Sequence, residues 1–202
     1  TSGNTGIAVS MFAANKGYPV IIVMPSNMSE ERKQMMRMFG AEVIETDPGD
    51  FDGSIGLRDK ICKGPGFFNF NQFHNPDNIE CHYETTGVEI LEQTKGLPVA
   101  AFLDGTGTGG TLMGVSARLK ERYPNIKTLA IEPAESPVMS GGEQGLHGIQ
   151  GIGDGSKFLV DLNKVDEVLL VKTDDAIKRM KQLHQRGLLV GISSGANVLA
   201  SE

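Results

Sequence analysis

Two kinds of segment alternate along the chain. Short continuous apolar runs rich in β-branched residues read as buried strands, and longer stretches with apolar residues every three or four positions read as helices. A small-residue helical stretch over 7–16 is stopped by Gly17, which can take the left-handed conformation that ends helices. The run 18–24, closed by Pro25, predicts a strand, and Ser29 is placed to cap a helix that carries Glu30 and Glu31 in its first turn and ends at Gly40. The same reading gives strand 41–46, helix 52–63, strand 67–70, helix 79–94, strand 99–103, helix 112–122, and strands 127–131 and 167–171. Helix 173–185, capped by Thr173 and closed by Gly187, precedes the apolar run 188–190, and Gly191-Ile192-Ser193-Ser194-Gly195 opens a last helix. Apolar strands joined by helices predict an α/β fold with parallel sheets covered on both faces. No internal repeat or low-complexity segment interrupts the pattern.

Composition sharpens the picture at one point. Glycine supplies 26 of 202 residues, well above the usual ~7%, and without a collagen period the excess belongs to turns and close backbone approaches. A net charge of −6 opposes a phosphate backbone, so no nucleic-acid partner is expected. Cys62 and Cys81 have neither metal nor disulfide-framework spacing, and they suit a reducing, cytoplasmic setting. No apolar run reaches the length of a membrane span, so no membrane partner is expected. His74, His82, His147 and His184 share no ligand spacing, and no metal site is expected. The cluster Met24, Met28, Met35, Met36 and Met38 reads as core filling, and Glu30, Glu31, Arg32 and Lys33 read as a solvated helix face.

Three loops carry candidate chemistry. Gly105-Thr106-Gly107-Thr108-Gly109-Gly110-Thr111 follows a strand and precedes a helix, which aims backbone amides at whatever sits before the helix. An anion belongs there, with Thr108 and Thr111 as hydroxyl donors; an ordinary glycine-rich turn is the plainer alternative. Gly105, Gly107 and Gly110 also match the dinucleotide pattern GxGxxG, with Glu132 twenty-two residues past Gly110, so an NAD-dependent dehydrogenase stays open on this loop alone. The second loop, Thr1-Ser2-Gly3-Asn4-Thr5-Gly6, packs hydroxyls and an amide at a helix start and suits a carboxylate as well as a phosphate. In the third, Ser193 could bond a heterocycle nitrogen or simply cap the last helix.

Taken together, the three loops with Met24-Pro25, Met28-Ser29-Glu30-Glu31-Arg32, Gln72-Phe73, Asn75-Pro76, His82, Thr85-Thr86-Gly87 and Gln150-Gly151-Ile152-Gly153 resemble the cysteine synthase (O-acetylserine sulfhydrylase) family across essentially the whole chain. The resemblance implies a fold-type II pyridoxal phosphate enzyme, tryptophan synthase β-like, with two parallel-sheet α/β domains. It places a small substrate-gripping domain at 1–75 and a larger pyridoxal phosphate-binding domain at 76–202, both incomplete at the chain ends. It further implies that Thr1, Ser2, Asn4, Thr5 and Gln72 take the substrate carboxylate, with Gly151 beside the substrate. Asn4 would also contact the pyridoxal 5'-phosphate, Ser193 would meet its pyridine nitrogen, and Gly107, Thr108, Gly109, Gly110 and Thr111 would hold its phosphate.

The implied reaction is β-replacement, O-acetylserine and sulfide giving cysteine and acetate. A serine hydroxyl at the pyridine nitrogen makes the ring a weaker electron sink than an aspartate would, which favours elimination at Cβ. The family's Schiff-base lysine lies upstream of the first loop, so no catalytic residue is assigned within this chain, which looks like the central piece of an enzyme. Cystathionine β-synthase, O-phosphoserine sulfhydrylase and serine or threonine dehydratase share these loops, and a non-catalytic pyridoxal phosphate-binding fragment is a further alternative. A homodimer is the partner state the resemblance implies.

Overall fold

Each of two compact units, Thr1–Phe70 and Asn71–Glu202, builds its own parallel sheet. The computed structural model describes residue 1 and residues 3–202. In the first unit, helix α1 (Asn4–Lys16) leads to strand β1 (Ile21–Pro25), helix α2 (Glu30–Met38), strand β2 (Glu42–Thr46) and helix α3 (Phe51–Ile61). β1 and β2 pair in parallel, Ile21 opposite Glu42 and Pro25 opposite Thr46. Ile22, Met24, Met36 and Ala41 form the buried core, with Ile7 and Val43 packed against it. The methionines divide: Met24 and Met36 are fully buried, but Met35 and Met38 are exposed.

Lys33 departs from the solvated face expected for it. It is buried, and its Nζ donates to Ser26 O at 2.7 Å and to Glu45 Oε2 at 2.6 Å. That hydrogen bond holds the Glu45 carboxyl below the usual carboxylate range. Ser29 occupies the N-cap position of α2 without a side-chain capping bond, whereas Asp50 does cap α3, accepting from Gly53 N at 2.7 Å. The strand expected at 67–70 does not form. Phe67, Phe68 and Phe70 are exposed, and among the described residues the segment joins neither sheet.

The second unit runs through α4 (Asp77–Glu84), α5 (Thr86–Gln93), β3 (Ala101–Gly105), α6 (Gly110–Arg122), β4 (Lys127–Pro133), a short 3₁₀ turn (Leu162–Lys164), β5 (Glu167–Val171), α7 (Thr173–Gln185) and α8 (Ile192–Ala200). The order β3-β4-β5 is parallel throughout, with Leu103 opposite Leu129 and Ile131 opposite Leu169. Helices cover both faces. On one, Leu112 and Met113 of α6 pack with Ala130, Phe102 and Val168; on the other, Ala176 of α7 and Ala196 of α8 pack with Ile131, Leu103 and Leu169.

The single helix expected over 79–94 is two helices. They break at Thr85, whose hydroxyl turns back to Cys81 O at 2.6 Å and whose φ of −116° and ψ of −79° lie off the helical path. Lys172, not Thr173, is the N-cap of α7; the Thr173 hydroxyl accepts instead from Gly148 N at 3.0 Å. The apolar run 188–190 forms no strand. Among the described residues, no helix is long and apolar enough to cross a membrane.

Close approach of α4 and α6 depends on Gly114. A Cβ there would strike the carbonyl oxygen of Ile79 and come within 2.9 Å of His82 Cβ. Gly114→Ala therefore forces the helices apart, and we expect a loss of about 1–3 kcal/mol, the usual cost of overpacking. Urea unfolding measures it, and an unchanged midpoint would contradict the close packing.

Candidate anion and carboxylate loops

In the second unit, β3 delivers the chain into the glycine loop at Gly105 and α6 takes it up at Gly110. Gly109 is the N-cap of α6, with φ 87°, and as a glycine brings no capping side chain of its own. The first amides of a helix have no intrahelical acceptor, so this end offers its N–H groups, and the positive end of its dipole, to a ligand. The loop tolerates no larger residues. A Cβ on Gly107 would lie 2.6 Å from Gly151 O, one on Gly109 would lie 2.5 Å from Val160 Cγ2, and one on Gly110 would collide with Asn78 Oδ1. The same glycines that free the amides thus let Gly151 and Asn78 come against the loop.

Hydrogen bonds fix the hydroxyls. Asn78 Nδ2 donates to Gln72 O and to Thr108 Oγ1, each at 3.0 Å, which ties the expected carboxylate contact to the expected phosphate loop. Thr108 Oγ1 also accepts from Gly110 N at 3.3 Å, so its lone pairs are engaged and its own proton is left to be donated. Thr111 Oγ1 meets His82 Nε2 at 3.1 Å. Gln72 Oε1 is buried and has no partner among the described residues, a cost the fold would shed by receiving a donor. From the far side, Gly153 N donates to Thr106 O at 2.9 Å and Leu159 N to Thr108 O at 3.0 Å.

Ser193 reaches the same end of the sheet by a different route. It is the second residue of α8, and Asn197, one turn on and hence on the same helix face, accepts from Gly105 N at 2.9 Å. That bond turns the Ser193 face of α8 toward the start of the glycine loop. Gly107, Thr108, Gly109, Gly110, Thr111, Gly151 and Gln72 are therefore linked along the loop and through Asn78 within one unit, and Ser193 is placed on the helix that Asn197 ties to Gly105.

The first unit carries the other loop. Gly3 is the N-cap of α1 with φ 129°, and no side chain caps it, so Asn4 and Thr5 stand in the first helical turn with uncapped amides. Thr1 Oγ1 accepts from Gly3 N at 3.1 Å, which folds the Thr1 hydroxyl over the helix start. A Cβ on Gly3 would lie 2.6 Å from Arg32 Cδ, so the arginine stem packs directly behind the loop. Ser2 lies outside the described residues.

Reading residues by type missed Asn78, His82 as a partner of Thr111, and Asn197, because each acts through a fold contact rather than a loop motif. It also missed Asp104, the penultimate residue of β3, just before the loop. Desolvation pushes the Asp104 carboxyl up to about 7. A polar residue near the end of an apolar strand was the available signal. Glu132, the expected ribose ligand of a dehydrogenase, is spent elsewhere: its buried carboxylate accepts from Met139 N at 2.8 Å and Ser140 N at 2.9 Å.

Comparison with known proteins gives the family and its fold. The family described as "Pyridoxal-phosphate dependent enzyme" matches residues 1–202. A cysteine synthase of Staphylococcus aureus is 44% identical over 207 aligned residues, a match covering 100% of this chain and 66% of that protein. A hydrogen sulfide-producing enzyme from Fusobacterium nucleatum superposes with a TM-score of 0.93 at 43% identity, covering 100% of this chain and 69% of the other. The cysteine synthase of Entamoeba histolytica superposes with a TM-score of 0.90 at 44% identity, covering 99% and 60%. The chain thus spans somewhat less than two thirds of the S. aureus relative.

Proposed function

Because the chain belongs along its whole length to the pyridoxal-phosphate dependent enzyme family, we propose that it is the central part of a cysteine synthase, joining O-acetylserine and sulfide to give cysteine and acetate. The observation that carries the reading is the loop from Gly107 to Thr111, closed to any Cβ at Gly107, Gly109 and Gly110 and strapped through Asn78 to Gln72. Its donor set fits the cofactor's phosphate: amides at the start of a thirteen-residue helix, and a Thr108 proton that meets no acceptor among the described residues. In a protein of net charge −6, so local a cluster of donors is what an anion requires.

When bound, pyridoxal phosphate supplies an electron sink that draws charge from the substrate Cα, so that one group can leave Cβ and another replace it. The chain's own residues position the partners of that chemistry. Amides of Gly107, Gly109, Gly110 and Thr111, with the Thr108 and Thr111 hydroxyls, would hold the phosphate. Ser193 offers a hydroxyl to the pyridine nitrogen without the charge needed to keep it protonated, which suits elimination at Cβ. We assign Gln72 to the substrate carboxylate through the N–H donors of its side-chain amide, with Gly151 walling that place beside Gly107, while the buried Oε1 takes a donor of its own. In the first unit, the uncapped start of α1 with Thr1, Asn4 and Thr5 has the chemistry of a carboxylate grip. None of the chain's lysines lies in these loops, so proton transfer at Cα is assigned to no residue here.

Titration with pyridoxal phosphate, followed by the cofactor's absorbance, tests the reading. We expect saturable uptake of one equivalent that inorganic phosphate displaces. Uptake that phosphate leaves untouched would place the cofactor elsewhere and overturn the assignment of the loop. Cysteine formation from O-acetylserine and sulfide tests the reaction itself.

A further inference from the structure

His82 stands between two hydroxyls. Its Nδ1 lies 2.9 Å from Thr86 Oγ1 in the first turn of α5, and its Nε2 lies 3.1 Å from Thr111 Oγ1 in the first turn of α6. The ring is locked there by the tight α4–α6 contact that Gly114 permits. Partial burial lowers its pKa, so the ring is neutral at neutral pH and carries a single N–H. Only two arrangements then satisfy both contacts. In one, Nδ1–H donates to Thr86 and Nε2 accepts from Thr111, which consumes the Thr111 proton. In the other, Thr86 donates to Nδ1 and Nε2–H donates to Thr111, which frees the Thr111 proton for a ligand.

An anion at the loop distinguishes the two, because it needs that proton. Resting on the reading that Gly107 to Thr111 hold the cofactor phosphate, we propose that His82 is a positioning residue: as the Nε2–H tautomer it donates to Thr111 Oγ1 and so turns the Thr111 hydroxyl proton onto the phosphate. Thr86 is the far end of the same chain, donating to Nδ1 and excluding the other tautomer. The imidazole never touches the phosphate; it sets which way a hydroxyl that does so will face. Tautomer and ligand are therefore coupled, the bound anion favouring Nε2–H and Nε2–H favouring the bound anion.

Two measurements test this. The first is the long-range ¹H–¹⁵N spectrum of the imidazoles in the protein with and without pyridoxal phosphate, and separately with inorganic phosphate, His82 being identified by the signal lost in His82→Gln. We expect the ligand-bound ring to carry its proton on Nε2; a proton on Nδ1 in the bound state overturns the proposal. The second is cofactor affinity in variants. His82→Gln, whose side-chain amide can supply a donor toward Thr111, should bind pyridoxal phosphate within about threefold of the parent, and His82→Leu about tenfold more weakly, as for one lost charge-assisted hydrogen bond. In a Thr111→Val background the His82→Leu penalty should vanish, since no hydroxyl remains to be oriented. A penalty that persists there would assign His82 a packing role only and overturn the proposal. Should pyridoxal phosphate fail to bind while inorganic phosphate still selects the Nε2–H tautomer, the cofactor reading would fall and the role of His82 would stand.

Discussion

Replacing Asp104 with asparagine stabilises the protein at pH 8 and flattens its stability between about pH 4 and 7. The carboxyl stands one residue before the end of β3, and burial raises its pKa from 3.8 to about 7. Below pH 3.8 the group is protonated in both the folded and unfolded chains and contributes nothing. Between those values the unfolded chain ionises while the folded one keeps its proton, so the folded state binds more protons and stability falls as pH rises, by up to about 1.4 kcal/mol per pH unit. Above about 7 both forms are ionised and the whole penalty is present, with a ceiling of about 4 kcal/mol. Asparagine removes the ionisation but still needs hydrogen-bond partners, so the gain at pH 8 is part of that ceiling. The slope is the cleaner readout. Urea unfolding of both proteins from pH 4.5 to 8 should show the parent losing stability that the variant keeps; parallel curves would mean the carboxyl is not desolvated.

Gly109→Ala should cost more than any other single methyl group added to the glycine loop. Its φ of 87° lies in the left-handed region, and its Cβ would come within 2.5 Å of Val160 Cγ2 and 2.9 Å of Val160 N. Left-handed backbone costs a non-glycine residue about 1–2 kcal/mol, and intrusion on packed neighbours typically adds about 1–3 kcal/mol. We expect a loss of about 3 kcal/mol and, because relief comes by moving the cap of α6, a fall in pyridoxal phosphate affinity of at least about tenfold. Gly141→Ala is the control, since φ there is 85° and nothing lies within 4 Å of the added carbon. It should lose only the backbone part and leave affinity unchanged. Equal losses in the two variants would show that Val160 yields and that the loop is not held as described.

Much of this architecture was legible in the residues. β1 through β5 were expected near where they form, because buried parallel strands leave an unbroken apolar run that little else imitates. The runs at 67–70 and 188–190 are the failures, and they are instructive: an apolar run becomes a strand only where another strand lies alongside, which no local pattern records. Thr85 broke the expected long helix by a side-chain bond that competes with the helix's own. At the site, the glycines and hydroxyls announced themselves through type and spacing. Asn78 did not, because its importance comes from bonding Gln72 and Thr108 together, the latter thirty positions further along the chain. Lys33 misled for the same reason, its charge answered by Glu45 on a neighbouring strand.

The passage from β4 to β5 joins two neighbouring parallel strands, a connection usually made by an α-helix. Here it contains only the 3₁₀ turn Leu162–Lys164. Lacking a helix's internal bonds, the segment takes its shape from anchors: Glu132 grips Met139 and Ser140, Thr173 grips Gly148, and the glycine loop's own carbonyls grip Gly153 and Leu159. In a genetic screen for lost enzyme function, Glu132 would therefore score beside the ligand contacts, although its carboxylate faces only backbone. The map of sensitive positions would trace the anchors of an irregular strap as faithfully as the outline of the site.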